Sequence, residues 1–132
     1  MNKRTAYALL VGRLLMAVIF ILSGISKITG FSGTVGYISS QGLPLATLAA
    51  ILAIIVELGG GLMLLVGWKT RWAAAVIAVF TVFAALLFHN FWAVAPDQAQ
   101  NMMIHFMKNF AMVGGLIYVV VFGAGSLSVD KN

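Results

Sequence analysis

Polar and charged side chains interrupt the apolar stretches of this sequence, and they are the residues whose types could do chemistry. The densest group lies in the stretch HFMKNF, where His105, Lys108 and Asn109 are three and four residues apart. Histidine, lysine and asparagine can all donate hydrogen bonds to a carbonyl or to an anion. Such a group is typical either of a ligand contact or of a buried network that specifies helix pairing.

Other apolar stretches carry residues of the same kind. They are Arg13, Lys27, Glu57 and His89. A charged residue at mid-membrane raises the free energy of insertion by about 2.5–3.5 kcal/mol, whereas a leucine or isoleucine lowers it by only about 0.3–0.6 kcal/mol. Glu57 is the sole acid within these stretches, so we expect it to neutralise one of the bases.

The composition shows which solvent surrounds the chain. Of the 132 residues, 62% are hydrophobic and 8% are charged, and the mean hydropathy is +1.07. A soluble domain carries roughly a quarter charged residues, so lipid is the expected surrounding. The absence of cysteine excludes disulfides, iron–sulfur clusters and thiolate zinc sites, but a quinone or haem stays compatible. The +5 charge is scattered along the chain, which argues against nucleic acid and indicates membrane orientation.

Four apolar segments are each close to the ~20 residues that a helix needs to cross the bilayer core. They are about Tyr7 to Ile28, Leu45 to Val66, Trp72 to Phe91 and Met102 to Phe122. The first run is too long for a signal-peptide core and contains Arg13, so a transmembrane helix is predicted there. After it, Phe31, Val35 and Ile38 recur at helical spacing and predict a short interfacial helix. Because no link is large enough to fold alone, residues 1–132 are predicted to form one integral-membrane domain.

On each predicted helix, polar and small residues share one face, since positions three, four and seven apart lie together. The four faces are Arg13, Ala17, Phe20, Gly24 and Lys27; Glu57, Gly60, Gly61 and Leu64; Ala74, Ala78, Thr81, Ala85 and His89; and His105, Lys108, Asn109 and Met112. Small residues let membrane helices approach closely, and polar groups avoid lipid by facing the bundle interior. The pattern predicts an all-α protein, a four-helix transmembrane bundle with a polar seam facing inward.

Depth along the helices suggests which polar residues meet. At 1.5 Å per residue, Glu57 and Arg13 lie roughly 18 and 22 Å below the outer ends of their predicted helices. We therefore expect a buried Arg13–Glu57 ion pair. Lys108 lies only about 9 Å deep, and is expected in a second cluster that contacts a ligand or quinone. That cluster contains Lys27, His89, His105, Lys108 and Asn109.

The chain resembles the DoxX family of small bacterial inner-membrane proteins, in particular its YphA/YqjF-like branch. The resembling stretches run in order along most of the sequence: SGISKITGFSGTVGYISSQGLP, ELGGGLMLLVGWKTR, LFHNFW, FMKNFAMVGGL and GAGSLSVD. The resemblance implies four spans and a polar pattern at Arg13, Lys27, Glu57, His89, Lys108 and Asn109. It also implies an association with redox complexes, because the family is named after a membrane subunit of a thiosulfate:quinone oxidoreductase. Other members accompany a superoxide dismutase and a sulfurtransferase.

Three functions stay open at this point. The first is a membrane subunit or anchor of a redox complex, with partner proteins supplying the redox centres and quinone touching the seam. The second is a small transporter of an anionic or weakly acidic solute, with Glu57 as a proton-coupled carboxylate. The third is a structural or assembly factor whose seam only specifies helix pairing. Lipid is a partner in each of them, and a homo-oligomer is compatible with all three.

Charge in the links predicts the orientation. Four spans place Lys3, Arg4, Lys69, Arg71 and Lys131 on one side, while the links on the other side contain only Asp97 as a charged residue. The positive-inside rule then places both termini in the cytoplasm. Reporter fusions after Lys69 and after Asp97 are expected to report opposite compartments. Identical readouts would mean that one of the four spans is wrongly assigned.

Overall fold

The computed structural model describes all 132 residues and contains helices and no strands, with four helices long and apolar enough to cross a membrane. Span 1 is Lys3–Thr29, span 2 is Ala46–Val66, span 3 is Thr70–Ala93 and span 4 is Pro96–Phe122. The predicted four-span architecture is therefore confirmed. Span 1 starts earlier than predicted because Asn2 caps it, accepting a hydrogen bond from Thr5 N at 2.9 Å.

The predicted interfacial helix is present as Phe31–Ser40, with Ile38 buried. It follows span 1 after Gly30 and packs against the first part of span 2. The third predicted link is shorter than expected, because span 4 already begins at Pro96. Proline is favoured at the first helical position, and Asp97 in the first turn complements the helix dipole.

Small residues set the distance between spans 1 and 2. A Cβ atom added at Gly24 would lie 2.8 Å from Leu58 Cβ, and one added at Gly61 would lie 2.8 Å from Ile21 Cγ1. The two helices are thus in backbone contact, as in many membrane helix pairs. The core around this contact includes Ala17, Leu64, Ile77 and Leu116, all fully buried. The inward faces predicted for spans 1 to 3 are the faces that are buried.

Span 4 is the least buried of the four. Only Leu116 is buried along its whole length, and its main neighbour is span 3. Most of its surface therefore faces lipid, and its contact with span 1 is slight.

Both chain ends lie at one end of the bundle, which we call the terminal side; Ser126 Oγ lies 3.7 Å from Met1 Sδ. The last ten residues fold back over this side. Arg13 donates from Nη1 to Ala124 O and from Nη2 to Leu127 O, the latter at 2.9 Å. Asp130 accepts from Lys69 N, Thr70 N and Thr70 Oγ1 at 2.7–2.9 Å. Its carboxylate therefore caps the start of span 3.

Asp130 lies outside the spans, and its pKa is held below the ordinary value. Burial alone would raise that pKa, but the hydrogen bonds from Thr70 and Lys69 and the nearby charge of Arg13 outweigh it. Because the folded-state pKa is depressed, the ionised carboxylate stabilises the fold above the ordinary pKa of 3.8. That stabilisation is lost as the pH falls below 3.8 through the folded-state pKa.

Replacing this cap should weaken the fold in a pH-dependent way. We expect Asp130→Ala to lower the free energy of unfolding by about 1–2 kcal/mol at neutral pH, the usual effect of deleting a helix cap. The difference from the wild type should shrink as the pH drops below 3.8. Thermal unfolding in detergent measures both effects. Asp97→Ala is the control, because Asp97 accepts no hydrogen bond and should lose only its interaction with the helix dipole, about 0.3–1 kcal/mol; an equal loss in both variants would contradict the capping role.

Candidate functional site

A buried ion pair joins span 1 to span 2. Lys27 Nζ lies 2.8 Å from Glu57 Oε1, and the side chain of Glu57 is only 5% exposed. Lys27 also donates to Ser23 Oγ at 2.9 Å, one turn earlier on the same helix. Lys27 itself is 29% exposed, so its long stem carries the charge from the edge of the bundle to the carboxylate.

The expected Arg13–Glu57 pair is wrong. The prediction assumed that spans 1 and 2 have their outer ends at the same depth. In the structure Gly24 packs against Leu58, and the guanidinium of Arg13 lies beside Gly67, at the terminal end of span 2. Span 2 therefore begins well beyond the end of span 1, next to the interfacial helix. This offset brings Lys27 to Glu57 and places Arg13 against the chain terminus.

Glu57 lies in a π-helical turn, Ile55–Gly59, within span 2. A π-turn inserts an extra residue into the helical repeat and is frequent at functional sites. It is followed by Gly60 and Gly61, whose lack of a side chain leaves room for Ile77 and Ile21 respectively. The local geometry thus turns the carboxylate inward while the helix still packs tightly on both neighbours.

The ion pair lines a cavity of about 220 Å³ on the far side of the bundle from the termini. All four spans contribute to its walls. The polar lining residues are Ser23, Lys27, Glu57, Thr81, His89 and Asn109, and the apolar ones include Ile19, Phe20, Phe80 and Met112. A half-open cavity with apolar walls and a few converging polar groups is the usual form of a small-molecule site. We refer to it as the polar cavity.

Two histidines and an amide complete the site. His89 stacks on His105, with ring centroids 5.2 Å apart, so His105 supports the cavity wall without lining it. Asn109 Nδ2 donates to Thr81 O at 3.3 Å, a long hydrogen bond. Thr81 Oγ1 itself donates a hydrogen bond to Ile77 O at 2.7 Å. The Asn109 amide is therefore held only by one long hydrogen bond to the backbone.

Two buried polar atoms of the cavity lack a partner. They are Glu57 Oε2 and His89 Nδ1. A buried polar group without a hydrogen bond costs about 1–3 kcal/mol, so native structures satisfy nearly all of them. These two atoms make the polar cavity competent to bind a ligand that offers both a donor and an acceptor. No group of three or more histidine, aspartate and glutamate side chains comes together that could hold a metal ion.

Lys108 does not belong to this site. It is exposed and forms no hydrogen bond or ion pair, in contrast to Asn109 beside it. The expected inward face of span 4 was too wide: His105, Asn109, Met112 and Leu116 point toward the bundle. Lys108 shares a lipid-facing row with Ile104 and Ala111. Of the five residues expected in the ligand cluster, the structure brings together Lys27, His89, His105 and Asn109 and leaves Lys108 outside.

Two functional residues, Ser23 and Asp130, were not predicted from the sequence. Ser23 was not singled out, although its position four residues before Lys27 is the spacing of a helical side-chain contact. The role of Asp130 was missed as well, since its partners Lys69 and Thr70 are far away in the sequence.

The fold and site define a small four-span membrane protein with a polar cavity in its bundle. Residues 8–90 match the model of the DoxX family, and the chain belongs to that family. It is 34% identical over 124 residues to the inner membrane protein YphA of Escherichia coli, covering 94% of this chain and 89% of YphA. It is 39% identical over 131 residues to the inner membrane protein YqjF of the same species, covering 99% of this chain and 95% of YqjF.

A third relative carries a name that refers to redox chemistry. The Bacillus subtilis protein "Putative oxidoreductase CatD" is 34% identical over 87 residues, covering 66% of this chain and 63% of CatD. No solved structure matches the chain. The four spans and the two inner-membrane relatives indicate a multi-pass inner-membrane protein.

Breaking the ion pair should destabilise the bundle. Lys27→Met strands the Glu57 carboxylate and is expected to cost about 3 kcal/mol, the lower end for a broken buried pair because Lys27 is partly exposed. Adding Glu57→Gln should recover much of that loss. As the control, Arg13→Met and Glu57→Gln should have additive effects, because these residues make no contact. Thermal unfolding of the single and double variants measures this, and coupling of Glu57 to Arg13 rather than to Lys27 would contradict the structure.

Proposed function

We propose that residues 1–132 form a single membrane domain, with cytoplasmic termini, that serves as the membrane subunit of a quinone-linked redox complex. In this proposal the polar cavity binds the quinone head-group. The observation that carries it is the pair of unpartnered buried atoms, Glu57 Oε2 and His89 Nδ1, in a cavity next to the loosely held amide of Asn109.

The groups in the cavity fit the chemistry of a quinone. The Asn109 amide can donate a hydrogen bond to a quinone carbonyl, and Glu57 Oε2 can accept one from a quinol hydroxyl. His89 can do either, depending on which ring nitrogen carries its proton. Phe20, Phe80 and Met112 supply apolar wall area for a ring.

Cavity size favours a single-ring head-group. At about 220 Å³ it is smaller than the roughly 300–1,000 Å³ of pockets for drug-sized ligands. A quinone with a long apolar tail would need only its head in this volume, because the tail dissolves in the surrounding lipid. Electrons would come from a separate partner protein, because this chain has no cysteine for an iron–sulfur cluster; the oxidoreductase-named relative CatD supports redox chemistry in general.

A purely structural role explains the site less well. A polar seam that serves only to specify helix pairing is expected to satisfy its own hydrogen bonds. Lys27 and Glu57 Oε1 meet that expectation, but Glu57 Oε2 and His89 Nδ1 do not. A ligand that donates a hydrogen bond to Glu57 Oε2 and accepts one from His89 Nδ1 removes the free-energy cost of burying these two atoms unpaired.

The proposal is tested with a short-chain, water-soluble benzoquinone analogue titrated into protein purified in mild detergent. We expect Asn109→Leu to weaken binding about tenfold, the effect of one lost hydrogen bond in a buried site. Lys108→Met is the matched control, one residue away but outside the cavity, and should bind as the wild type does. Equal binding by the wild type and Asn109→Leu, or an equal loss in both variants, would contradict the proposal.

A further inference from the structure

A second cavity lies between spans 1 and 4 on the terminal side. It is an apolar groove of about 470 Å³, and none of its lining residues lines the polar cavity. It extends from Gly123 to Gly115 along span 4, a length of about 12 Å at 1.5 Å per residue. On span 1 it is lined by Ala8, Leu9, Gly12, Arg13 and Met16. We refer to it as the lipid-side groove.

The groove exists because Ala8 and Gly12 on span 1 carry little or no side chain. Ala8, Gly12 and Met16 follow one another at four-residue spacing, so they form one row on span 1. A Cβ atom added at Gly12 would meet nothing within 4 Å. The groove ends where Met16 covers Gly115, since a Cβ atom added at Gly115 would overlap Met16 Cε. The space is therefore a slot closed at its deep end.

Two arginines lie toward the open end of the groove, in addition to Arg13 in its wall. Arg71 donates to Val120 O and Val121 O, at 3.2 and 2.7 Å, so its guanidinium lies at the end of span 4. Its Nη2 is 3.1 Å from the position of a Cβ atom on Gly123, which lines the groove. Arg4 is exposed and lies one turn before Ala8 on the same row of span 1. Asp130 on this side is already hydrogen-bonded to Lys69 and Thr70, and Asn132 O, which accepts from Gly125 N, lies 3.2 Å from the position of a Cβ atom on Gly123.

We propose that the lipid-side groove is a binding site for an anionic phospholipid of the leaflet on the terminal side. One acyl chain fills the apolar slot, and the phosphate lies between Arg4 and Arg71. Basic pockets between membrane helices are typical sites for anionic head-groups. A second copy of the chain fits less well, because a helix is about 10–12 Å in diameter and would not enter a slot that Met16 closes.

Native mass spectrometry of delipidated protein tests the site, with phosphatidylglycerol and phosphatidylcholine of identical acyl chains as equimolar probes. The wild type should retain one phosphatidylglycerol with about 25-fold preference over phosphatidylcholine. Arg4→Gln should reduce that preference about fivefold, which corresponds to about 1 kcal/mol per cation near the surface.

Filling the groove gives the second arm of the test. Gly12→Leu places a side chain in open space and should abolish retention of both lipids. Gly114→Leu is the matched control, because Gly114 also has nothing within 4 Å and does not line the groove; it should retain the lipid. Circular dichroism verifies folding, and if Gly12→Leu does not fold, Arg4→Gln decides.

Several results would overturn the proposal. They are equal retention of the two lipids by the wild type, unchanged retention in Gly12→Leu, or an unchanged preference in Arg4→Gln. A wild-type dimer that Gly12→Leu converts to a monomer would assign the groove to a second copy instead.

Discussion

The structure depends on one constraint: a carboxylate that is 5% exposed within the bilayer must have a cation beside it. Glu57 obtains it from Lys27, and the pair can form only in the helix register set by Gly24 against Leu58 and Gly61 against Ile21. The same geometry creates the polar cavity. Lys27 neutralises the charge but contacts one carboxylate oxygen, so the second oxygen is left facing the space enclosed by the four spans.

Buried charge is compensated by different groups at the two ends of the bundle. At the terminal side Arg13 has no acid in contact, and its planar guanidinium donates to two backbone carbonyls of the chain terminus at once. Asp130 then fixes this segment to the start of span 3. At this end one buried polar atom, Arg13 Nε, lacks a partner, whereas the far end has two, Glu57 Oε2 and His89 Nδ1, around one cavity that all four spans line. This asymmetry is why we assign ligand chemistry to the polar cavity.

The sequence predicts those features that depend on nearby residues. Hydropathy and helical periodicity predict the four spans, the interfacial helix at Phe31–Ser40 and the buried faces of spans 1 to 3. The predicted partner of Glu57 was wrong because the pairing depends on the relative depth of spans 1 and 2. Close packing at Gly24 and Gly61 sets that depth. Lys108 was misplaced because a face defined by positions three and four apart spans a wide arc. No local signal in IVELG predicts the π-turn at Glu57.

Photo-crosslinking with an azido-benzoquinone in native membranes, followed by peptide mapping, tests the central claim most directly. The polar cavity predicts labels on both Ile19 to Ser23 and Asn109 to Met112, segments of two different spans that meet only there. Excess unlabelled quinone should suppress both labels together. Labels confined to lipid-facing positions such as Leu15 and Val76, without competition by unlabelled quinone, would contradict the account.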